Sequence, residues 1–218
     1  VLAALEQGPV FSFNVTYQNH GPYSDSEVYF SDVYVPQEDL STGDYNIINN
    51  YLVGIWGTAR LMQQMLEQFR SLEEPVILVF YGDHKPWLGE QSVTYSALGI
   101  DITSEGGESF RNYYATDYLI WANDAAKAVL GRDFVGTGPE ISPCFLMNVL
   151  FDLCSWEGPG YTKLTDEVMT TTPLLHASGQ YLTDGAITDT LTDAQQQLVE
   201  QMRFAQYYLA QDASGVHP

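Results

Sequence analysis

The chain has 218 residues, of which 45% are hydrophobic and 17% charged, and this globular composition excludes a disordered or collagen-like chain. Its 28 acidic and 8 basic residues give a formal net charge of −20. Such a surface repels phosphate backbones, so we expect no nucleic-acid partner, and an anionic substrate would need a metal ion or a local positive charge. No apolar run reaches the roughly 20 residues that a membrane-spanning helix requires.

The first part of the chain predicts a strand, a loop and a long helix. Residues 9–17 are rich in β-branched and aromatic side chains and run into Asn19-His20-Gly21-Pro22, which is typical of a strand that ends in a loop. After a polar loop, apolar residues at spacings of three and four predict a helix from about Asp44 to Arg70 that packs on a sheet. The members of this apolar stripe are Ile48, Leu52, Ile55, Ala59, Met62, Leu66 and Phe69.

A second strand follows this helix. Glu73-Glu74-Pro75 ends the helix, and residues 76–81 form a continuous apolar run, as expected for a strand that is covered on both faces inside a parallel sheet. A strand, a helix and a strand in this order predict a right-handed crossover between parallel strands. The sequence therefore predicts an α/β fold with a mostly parallel sheet flanked by helices.

The middle of the chain predicts short elements. Residues 82–116 are rich in loop-forming residues, with short helical pieces near 91–98 and 107–114. A third strand is predicted over Tyr118–Ala122. Asn123 then caps a helix that runs through Leu130 and closes at Gly131.

The last part of the chain predicts two more helices. The first runs from Cys144 to Leu153, and because about 15 Å of helical rise separates Cys144 from Cys154, we expect no disulfide and two buried thiols. Residues 155–189 are predicted to be irregular, with a hairpin near 180–187. Thr192 and Gln195 form a capping-box pattern that opens a terminal helix to about Gln211.

Three side chains follow the two predicted parallel strands, namely His20 after the first and Asp83 and His84 after the second. In an open α/β sheet, ligands bind beyond the carboxyl ends of the strands, so these side chains would converge at one edge. A carboxylate oxygen and an imidazole nitrogen both bind divalent cations such as Zn²⁺ or Mn²⁺. The alternative is a turn aspartate beside a partly buried histidine.

Other polar residues are less specific. Lys85 and Arg111 would contact an anionic group or form surface ion pairs, and His176 is expected to be solvated. The chain has no glycine-rich phosphate loop, no Gly-x-Ser-x-Gly elbow and no Cys-x-x-Cys pair. No strand end supplies a convincing nucleophile.

Two motifs carry a family resemblance. The segment from Phe13 to Tyr23, with Asn19-His20-Gly-Pro-Tyr23, and the later Tyr81-Gly-Asp83-His84 resemble the sulfatase-like lipoteichoic acid synthases. These enzymes are phosphoglycerol transferases of the alkaline phosphatase superfamily. The strand at Tyr118–Asn123, the segment Ile141–Met147 and the terminal helix extend this resemblance over nearly the whole chain.

The resemblance implies a fold, a reaction and a metal. Family members have a central, mostly parallel sheet between helical layers, use one Mn²⁺ and a Thr nucleophile, and transfer phosphoglycerol from phosphatidylglycerol to a growing polymer. By motif, Asp83 and His84 would be metal ligands. His20 would contact the substrate phosphate and act as a catalytic residue.

The family's other motifs precede the Asn-His-x-Pro-Tyr motif, and residues 1–19 contain none of them. The resemblance therefore implies that residues 1–218 are the C-terminal part of an extracytoplasmic catalytic domain, with a terminal helix over 190–212. Its partners would be the upstream remainder of that domain and a phosphoglycerol lipid or polymer. Anchoring in the cell membrane would come only through an upstream segment, and this chain alone would be inactive.

Two alternative functions remain open. The first is a sulfatase or phosphodiester hydrolase of the same superfamily, in which the nucleophile would differ. The second is a non-catalytic ectodomain that keeps the fold without its chemistry. Neither Cys144 nor Cys154 lies in the Cys-x-Pro-x-Arg context of a sulfatase nucleophile.

Overall fold

The computed structural model describes residues 2–5, 8–29, 35–103 and 107–214. The chain divides into two compact units: the first comprises Val1–Gln68 and Pro86–Asp101, and the second Phe69–Lys85 and Ile102–Pro218. Within the described ranges, no helix has the length and apolar character needed to cross a bilayer.

The first unit is helical. It contains α1 (Leu2–Leu5), most of α2 (Thr42–Arg70), a 3₁₀ turn (Glu90–Ser92) and α3 (Val93–Ala97). The Ser41 side chain caps α2, since its Oγ accepts a 3.1 Å hydrogen bond from the backbone N–H of Asp44. The prediction of a long helix from Asp44 to Arg70 is confirmed.

The N-terminal half of α2 binds a loop through three buried asparagines, Asn46, Asn49 and Asn50. The Asn49 Oδ1 accepts from the Val35 N–H at 3.0 Å, and the Asn50 Oδ1 accepts from the Tyr29 N–H at 2.8 Å. The amides of Asn46 and Asn50 donate to loop carbonyls, at distances from 2.7 to 3.2 Å. These three asparagine side chains therefore supply hydrogen-bond partners for N–H and C=O groups of the loop backbone.

The predicted apolar stripe of α2 is buried only at its ends. Ile48 and Phe69 are buried, whereas Ile55 between them is exposed. Most of α2 and both sheets belong to different units, so the packing of this stripe on a sheet stays a prediction.

The strand predicted over residues 9–17 is not formed. This segment carries no strand assignment, and its side chains are exposed, with Phe11 at 82% and Val15 at 80%. Its composition favours a strand, but a strand requires a neighbouring backbone to pair with, and none of the described segments supplies one. The predicted crossover between two parallel strands is absent for the same reason.

The second unit contains two antiparallel sheets. In the first, β1 (Ile77–Tyr81) pairs with β2 (Tyr118–Ala122), with Ile77 opposite Ala122 and Tyr81 opposite Tyr118. In the second, β3 (Leu174–Leu175), β4 (Tyr181–Thr183) and β5 (Ala186–Thr188) lie in that order. The strands β1 and β2 are confirmed as elements. All strand pairs of the described chain are antiparallel, so the mostly parallel sheet is not observed in this part of the protein.

The helices of the second unit are α4 (Gly107–Tyr114), α5 (Asp124–Leu130), α6 (Leu146–Cys154), α7 (Gly160–Thr171) and α8 (Asp193–Ser214), and a 3₁₀ turn (Pro143–Phe145) precedes α6. The predicted α5 cap is present, since the Asn123 side chain accepts from the Ala126 N–H and Gly131 adopts a positive φ. The predicted irregularity of residues 155–189 is wrong where α7 lies, although the hairpin is confirmed.

The core of the second unit lies between the C-terminal helices. Phe145, Val168, Val199 and Met202 form one buried cluster, which brings α7 against α8. The capping box of α8 is reciprocal: the Gln195 N–H donates to Thr192 Oγ1 at 3.3 Å, and the Thr192 N–H donates to Gln195 Oε1 at 3.0 Å. Both cysteines are free, as expected, but only Cys154 is buried.

One buried side chain joins four parts of the second unit. Asn123 is 1% exposed and makes five side-chain hydrogen bonds, so every polar atom of its amide has a partner. Its Oδ1 accepts from the N–H groups of Val76 and Ala126, and its Nδ2 donates to the carbonyls of Phe69, Leu72 and Glu74. It thereby ties the end of α2 and the turn after it to the start of β1 and to α5.

We expect Asn123→Ala to lower the free energy of unfolding by about 2–4 kcal/mol, because it leaves several buried backbone groups without partners. Urea denaturation followed by circular dichroism measures this loss. Thr170→Ala is the control, since its exposed hydroxyl bonds only to the Asp166 carbonyl of its own helix, and it should change stability by less than about 0.5 kcal/mol. Equal losses for the two variants would contradict the role of Asn123.

Candidate functional site

The predicted metal ligands Asp83 and His84 lie just beyond the carboxyl end of β1. Gly82, between strand and ligands, accepts from the Thr116 hydroxyl at 2.7 Å and donates its N–H to the Asp117 carbonyl at 3.2 Å. A Cβ atom on Gly82 would lie 3.2 Å from the Thr116 Cβ. Glycine suits this position because the backbone lies close to Thr116. The hydrogen bonds to Thr116 and Asp117 hold the start of the Asp83–His84 segment next to the residues that precede β2.

The side chains of Asp83 and His84 face one another. The Asp83 Oδ1 accepts from the backbone N–H of His84 at 2.9 Å, and its Oδ2 lies 3.6 Å from the His84 Nε2. The His84 Nδ1 lies 2.8 Å from the Lys85 carbonyl oxygen, which can only accept, so Nδ1 carries the proton in this hydrogen bond. In the neutral ring Nε2 then carries the lone pair, which is the form that binds a metal.

Both side chains are open to solvent, His84 at 61% and Asp83 at 77% exposed. The pair offers one oxygen donor and one nitrogen donor, a set that suits Mn²⁺ or Zn²⁺. No group of three or more potential ligands occurs among the described residues. The residues present fit a divalent cation as part of its ligand set, and they do not complete it.

His20 lies on the exposed loop of the first unit. Its Nδ1 donates to the Gly21 carbonyl at 2.7 Å, and its ring stacks on Tyr17 with centroids 4.7 Å apart. These two contacts set the orientation of the His20 ring. Asp83 and His84 belong to the other unit, so the convergence of His20 with them stays a prediction.

The loop that carries His20 is seated on α2 by two glycines. A Cβ atom on Gly54 would overlap the Asn19 side-chain amide, and one on Gly57 would overlap the Gln18 amide. The Tyr23 hydroxyl donates to the Asn19 carbonyl at 2.6 Å and closes the loop from the other side. Asn19 and Tyr23 are therefore positioning residues, which sequence reasoning assigned to the motif without a role.

Two glycines three residues apart inside a long helix were the available signal for this contact. Glycine in a helix interior costs about 0.5–1 kcal/mol relative to alanine, so such a pair indicates close packing against the helix. The partner segment is not readable from the helix itself, because it is distant in sequence.

Three other residues have clear outcomes. Arg111 forms a 2.8 Å ion pair with Glu140, as one of the two alternatives for it predicted. Lys85 makes no ion pair with a described residue. His176 is not fully solvated, because it is half-buried and packs on the Tyr114 ring at a centroid distance of 4.1 Å.

We expect Gly54→Ala to displace Asn19 and with it His20, because the added methyl group occupies the position of the Asn19 amide. The NMR signals of the His20 ring report this displacement through the ring current of Tyr17. Gly43→Ala in the same helix is the control, since its Cβ would meet only Asp25 and Ser41 atoms at 3.6–3.9 Å. Unchanged His20 signals in Gly54→Ala would refute the seating of the loop.

Tyr23 makes this loop sensitive to alkaline pH. Burial, and secondly the neighbouring Tyr51, raise the pKa of Tyr23 to about 12. In the unfolded chain, the Tyr23 hydroxyl ionises near pH 10, whereas in the folded chain it keeps its proton up to about pH 12. Between these two pH values the folded chain binds more protons than the unfolded chain, so the free energy of unfolding falls as pH rises. We expect the stability advantage of the natural chain over Tyr23→Phe to be constant below about pH 10 and to shrink towards pH 12. Urea denaturation at several pH values measures it, and a constant advantage throughout would be the contrary result.

Comparisons with known proteins match most of the chain. The family model described as Sulfatase matches residues 1–154. A putative cyclic beta-1,2-glucan modification protein of Rhizobium meliloti (strain 1021) is 26% identical over 167 residues, which cover 74% of this chain and 24% of that protein. The chain thus spans about a quarter of the length of this relative. No solved structure shows a significant match.

The family match includes the His20 loop, α2, β1 with Asp83 and His84, and the elements up to the end of α6. It covers well over half of the chain and implies the α/β fold of the alkaline phosphatase superfamily. The chain belongs to the sulfatase family.

Proposed function

We propose that this chain is the C-terminal part of the catalytic domain of a metal-dependent phosphoglycerol transferase. The observation that carries the proposal is the Asp83–His84 pair beyond β1, in which the Lys85 carbonyl holds the Nδ1 proton and Nε2 faces the carboxylate. Membership of the sulfatase family supports a metal-assisted group transfer or hydrolysis at this position.

Asp83 and His84 would hold one Mn²⁺ or another divalent cation together with ligands from outside these 218 residues. When bound, the cation supplies positive charge to a phosphoryl oxygen and lowers the pKa of a hydroxyl nucleophile. The chain itself carries a formal net charge of −20, so it depends on such a cation to hold an anionic group.

His20 would act on the substrate side of the reaction. Its ring is exposed and is oriented by the Gly21 carbonyl and by Tyr17. With the Nδ1 proton held by the Gly21 carbonyl, Nε2 of the doubly protonated ring would donate a hydrogen bond to a phosphoryl oxygen or a proton to a leaving oxygen. The Thr nucleophile implied by the resemblance would come from the upstream part of the domain.

The name of the Rhizobium meliloti relative says that it modifies a cyclic β-1,2-glucan, which is a polymer of glucose units that carry free hydroxyl groups. A hydroxyl-bearing polymer is a suitable acceptor for a phosphoglycerol group carried on an enzyme nucleophile. We propose such a polymer as the acceptor and a phosphatidylglycerol-type lipid as the donor. An extracytoplasmic location with a membrane anchor upstream of this chain fits a lipid donor.

Hydrolysis of a sulfate ester or phosphodiester is the second candidate, and the family description favours it. A sulfatase requires a formylglycine made from Cys or Ser. Neither Cys144 nor Cys154 lies in the Cys-x-Pro-x-Arg context of such a residue, so a sulfatase nucleophile would come from outside these 218 residues. The nucleophile of the longer protein would decide between the two candidates.

The test uses the longest natural protein that contains this chain. We expect Asp83→Ala and His84→Ala each to weaken Mn²⁺ binding by about tenfold or more in titration calorimetry and to abolish phosphoglycerol transfer from the lipid. Asp133→Ala removes an exposed carboxylate of the same unit and should change neither measurement.

Unchanged Mn²⁺ binding in Asp83→Ala would remove this residue from the metal site. The isolated chain of 218 residues is expected to give no turnover with Mn²⁺, and turnover by it would overturn the proposal of a partial site. Release of inorganic sulfate from a sulfate ester, without phosphoglycerol transfer, would favour the hydrolase.

A further inference from the structure

A half-exposed tryptophan follows the candidate metal ligands in the sequence. Trp87 comes three positions after His84 and is 50% exposed. Its two neighbours are held inside the first unit, since Leu88 is buried and the Pro86 carbonyl accepts from the Tyr95 hydroxyl at 2.8 Å. The backbone at Trp87 is therefore fixed on both sides, while half of the residue's surface stays open to solvent.

Gly89 anchors the same segment more deeply in the first unit. It is buried and has a φ of +84°, and a Cβ atom on it would lie 3.2 Å from Thr94 Oγ1 and 3.4 Å from Ile47 Cδ1. The Thr94 hydroxyl is buried and donates to Asp44 Oδ1 at 2.6 Å. The segment that carries Trp87 is thus seated against the first turns of α2 and against α3.

Trp87 also adjoins the loop that carries His20. A Cβ atom on Gly21 would lie 3.7 Å from the Trp87 carbonyl oxygen, so the two backbones lie side by side within one unit. The His20 ring in turn stacks on Tyr17, which is 76% exposed. Two exposed aromatic residues therefore border the corner formed by His20 and Gly21.

The chemistry of Trp87 suits a neutral sugar ring. An exposed indole on a fixed backbone offers a large apolar contact area at a low cost in conformational entropy. The face of the indole carries negative partial charge, and the C–H groups on one face of a pyranose carry positive partial charge, so the two faces attract. A formal net charge of −20 disfavours an anionic lipid surface at the same place.

We propose that Trp87 is an acceptor-binding residue, whose indole stacks on a sugar ring of the acceptor polymer beside His20. The inference rests on the proposed function for the class of acceptor, and it adds the side chain that holds this acceptor. Stacking fixes the plane of one sugar next to the loop that carries His20, which limits the orientations in which its hydroxyl groups approach.

The test is titration calorimetry of a cyclic β-1,2-glucan into the longest natural protein that contains this chain, without Mn²⁺ or lipid. We expect Trp87→Leu to raise the dissociation constant by about tenfold, because it keeps an apolar side chain but removes the ring. Trp87→Phe keeps an aromatic face and should stay within about threefold of the natural protein. Glycerol, which has hydroxyl groups but no ring face, should show no saturable binding.

Trp56→Leu is the matched control. Trp56 is 47% exposed in the same unit, but on α2 it lies about 100° around the helix from Gly57 and about 160° from Gly54, the two glycines that seat the His20 loop. We expect this variant to bind the glucan as the natural protein does. In the transfer reaction, Trp87→Leu should raise the KM for the glucan by about tenfold and leave the KM for the lipid donor within about twofold. Circular dichroism confirms that each variant remains folded.

The binding measurement separates this inference from the proposed function, because it requires neither metal nor turnover. Weaker glucan binding in Trp87→Leu together with unchanged Mn²⁺ binding in Asp83→Ala would support the inference and contradict the proposed metal site. Unchanged glucan binding in Trp87→Leu would overturn the inference, whether or not transfer requires Asp83.

Three further results would also overturn the inference. The first is a natural protein that does not bind the glucan, and the second is an equal loss of binding in Trp56→Leu or in Trp87→Phe. The third is binding of phosphatidylglycerol vesicles that Trp87→Leu abolishes while glucan binding persists, which would assign the indole to the lipid.

Discussion

The second unit depends on the hydrogen bonds of one buried amide. Asn123 holds three carbonyls from the end of α2 and the turn after it, and it accepts from the first residue before β1 and from α5. Apart from Ala126 in α5, these partners are 47 to 54 residues away in sequence. A single side chain therefore joins segments that are distant along the chain. The strand β1 begins next to Asn123 and ends at Tyr81, so these hydrogen bonds fix the start of the strand that leads to Asp83 and His84. A two-stranded sheet alone is marginally stable, and these hydrogen bonds compensate for that.

Sequence reasoning succeeded where the cause of a structure is local. The helices α2, α5 and α8 were predicted because their caps and apolar spacings lie within the segment itself, and the reciprocal bonds of Thr192 and Gln195 show how local that cause is. It failed at α7, which begins with glycine and contains four threonines, although Tyr161, Leu164 and Val168 form a helical stripe. It failed at residues 9–17 for the opposite reason, since a strand is defined by a neighbour that the segment does not contain.

The candidate site shows the same division. The pairing of Asp83 with His84 follows from their adjacency and from the strand before them, and the sequence predicted it. The hydrogen bond from His84 Nδ1 to the Lys85 carbonyl leaves Nε2 as the nitrogen that would bind a metal, and it depends on backbone geometry that no residue pattern specifies. The seating of Asn19 against Gly54 depends on two segments 35 positions apart, and only the glycines in the helix hint at it.

In both units the buried asparagine side chains have hydrogen-bond partners, while several large apolar side chains stay exposed to solvent. Asn46, Asn49 and Asn50 in the first unit and Asn123 in the second occupy positions where an apolar side chain would add hydrophobic stabilisation but leave backbone groups without partners. Phe11, Phe204 and Tyr207 meanwhile stay exposed. Exposed aromatic side chains add to the free energy of association because their burial is still available, and the acidic surface opposes contact wherever no cation offsets it.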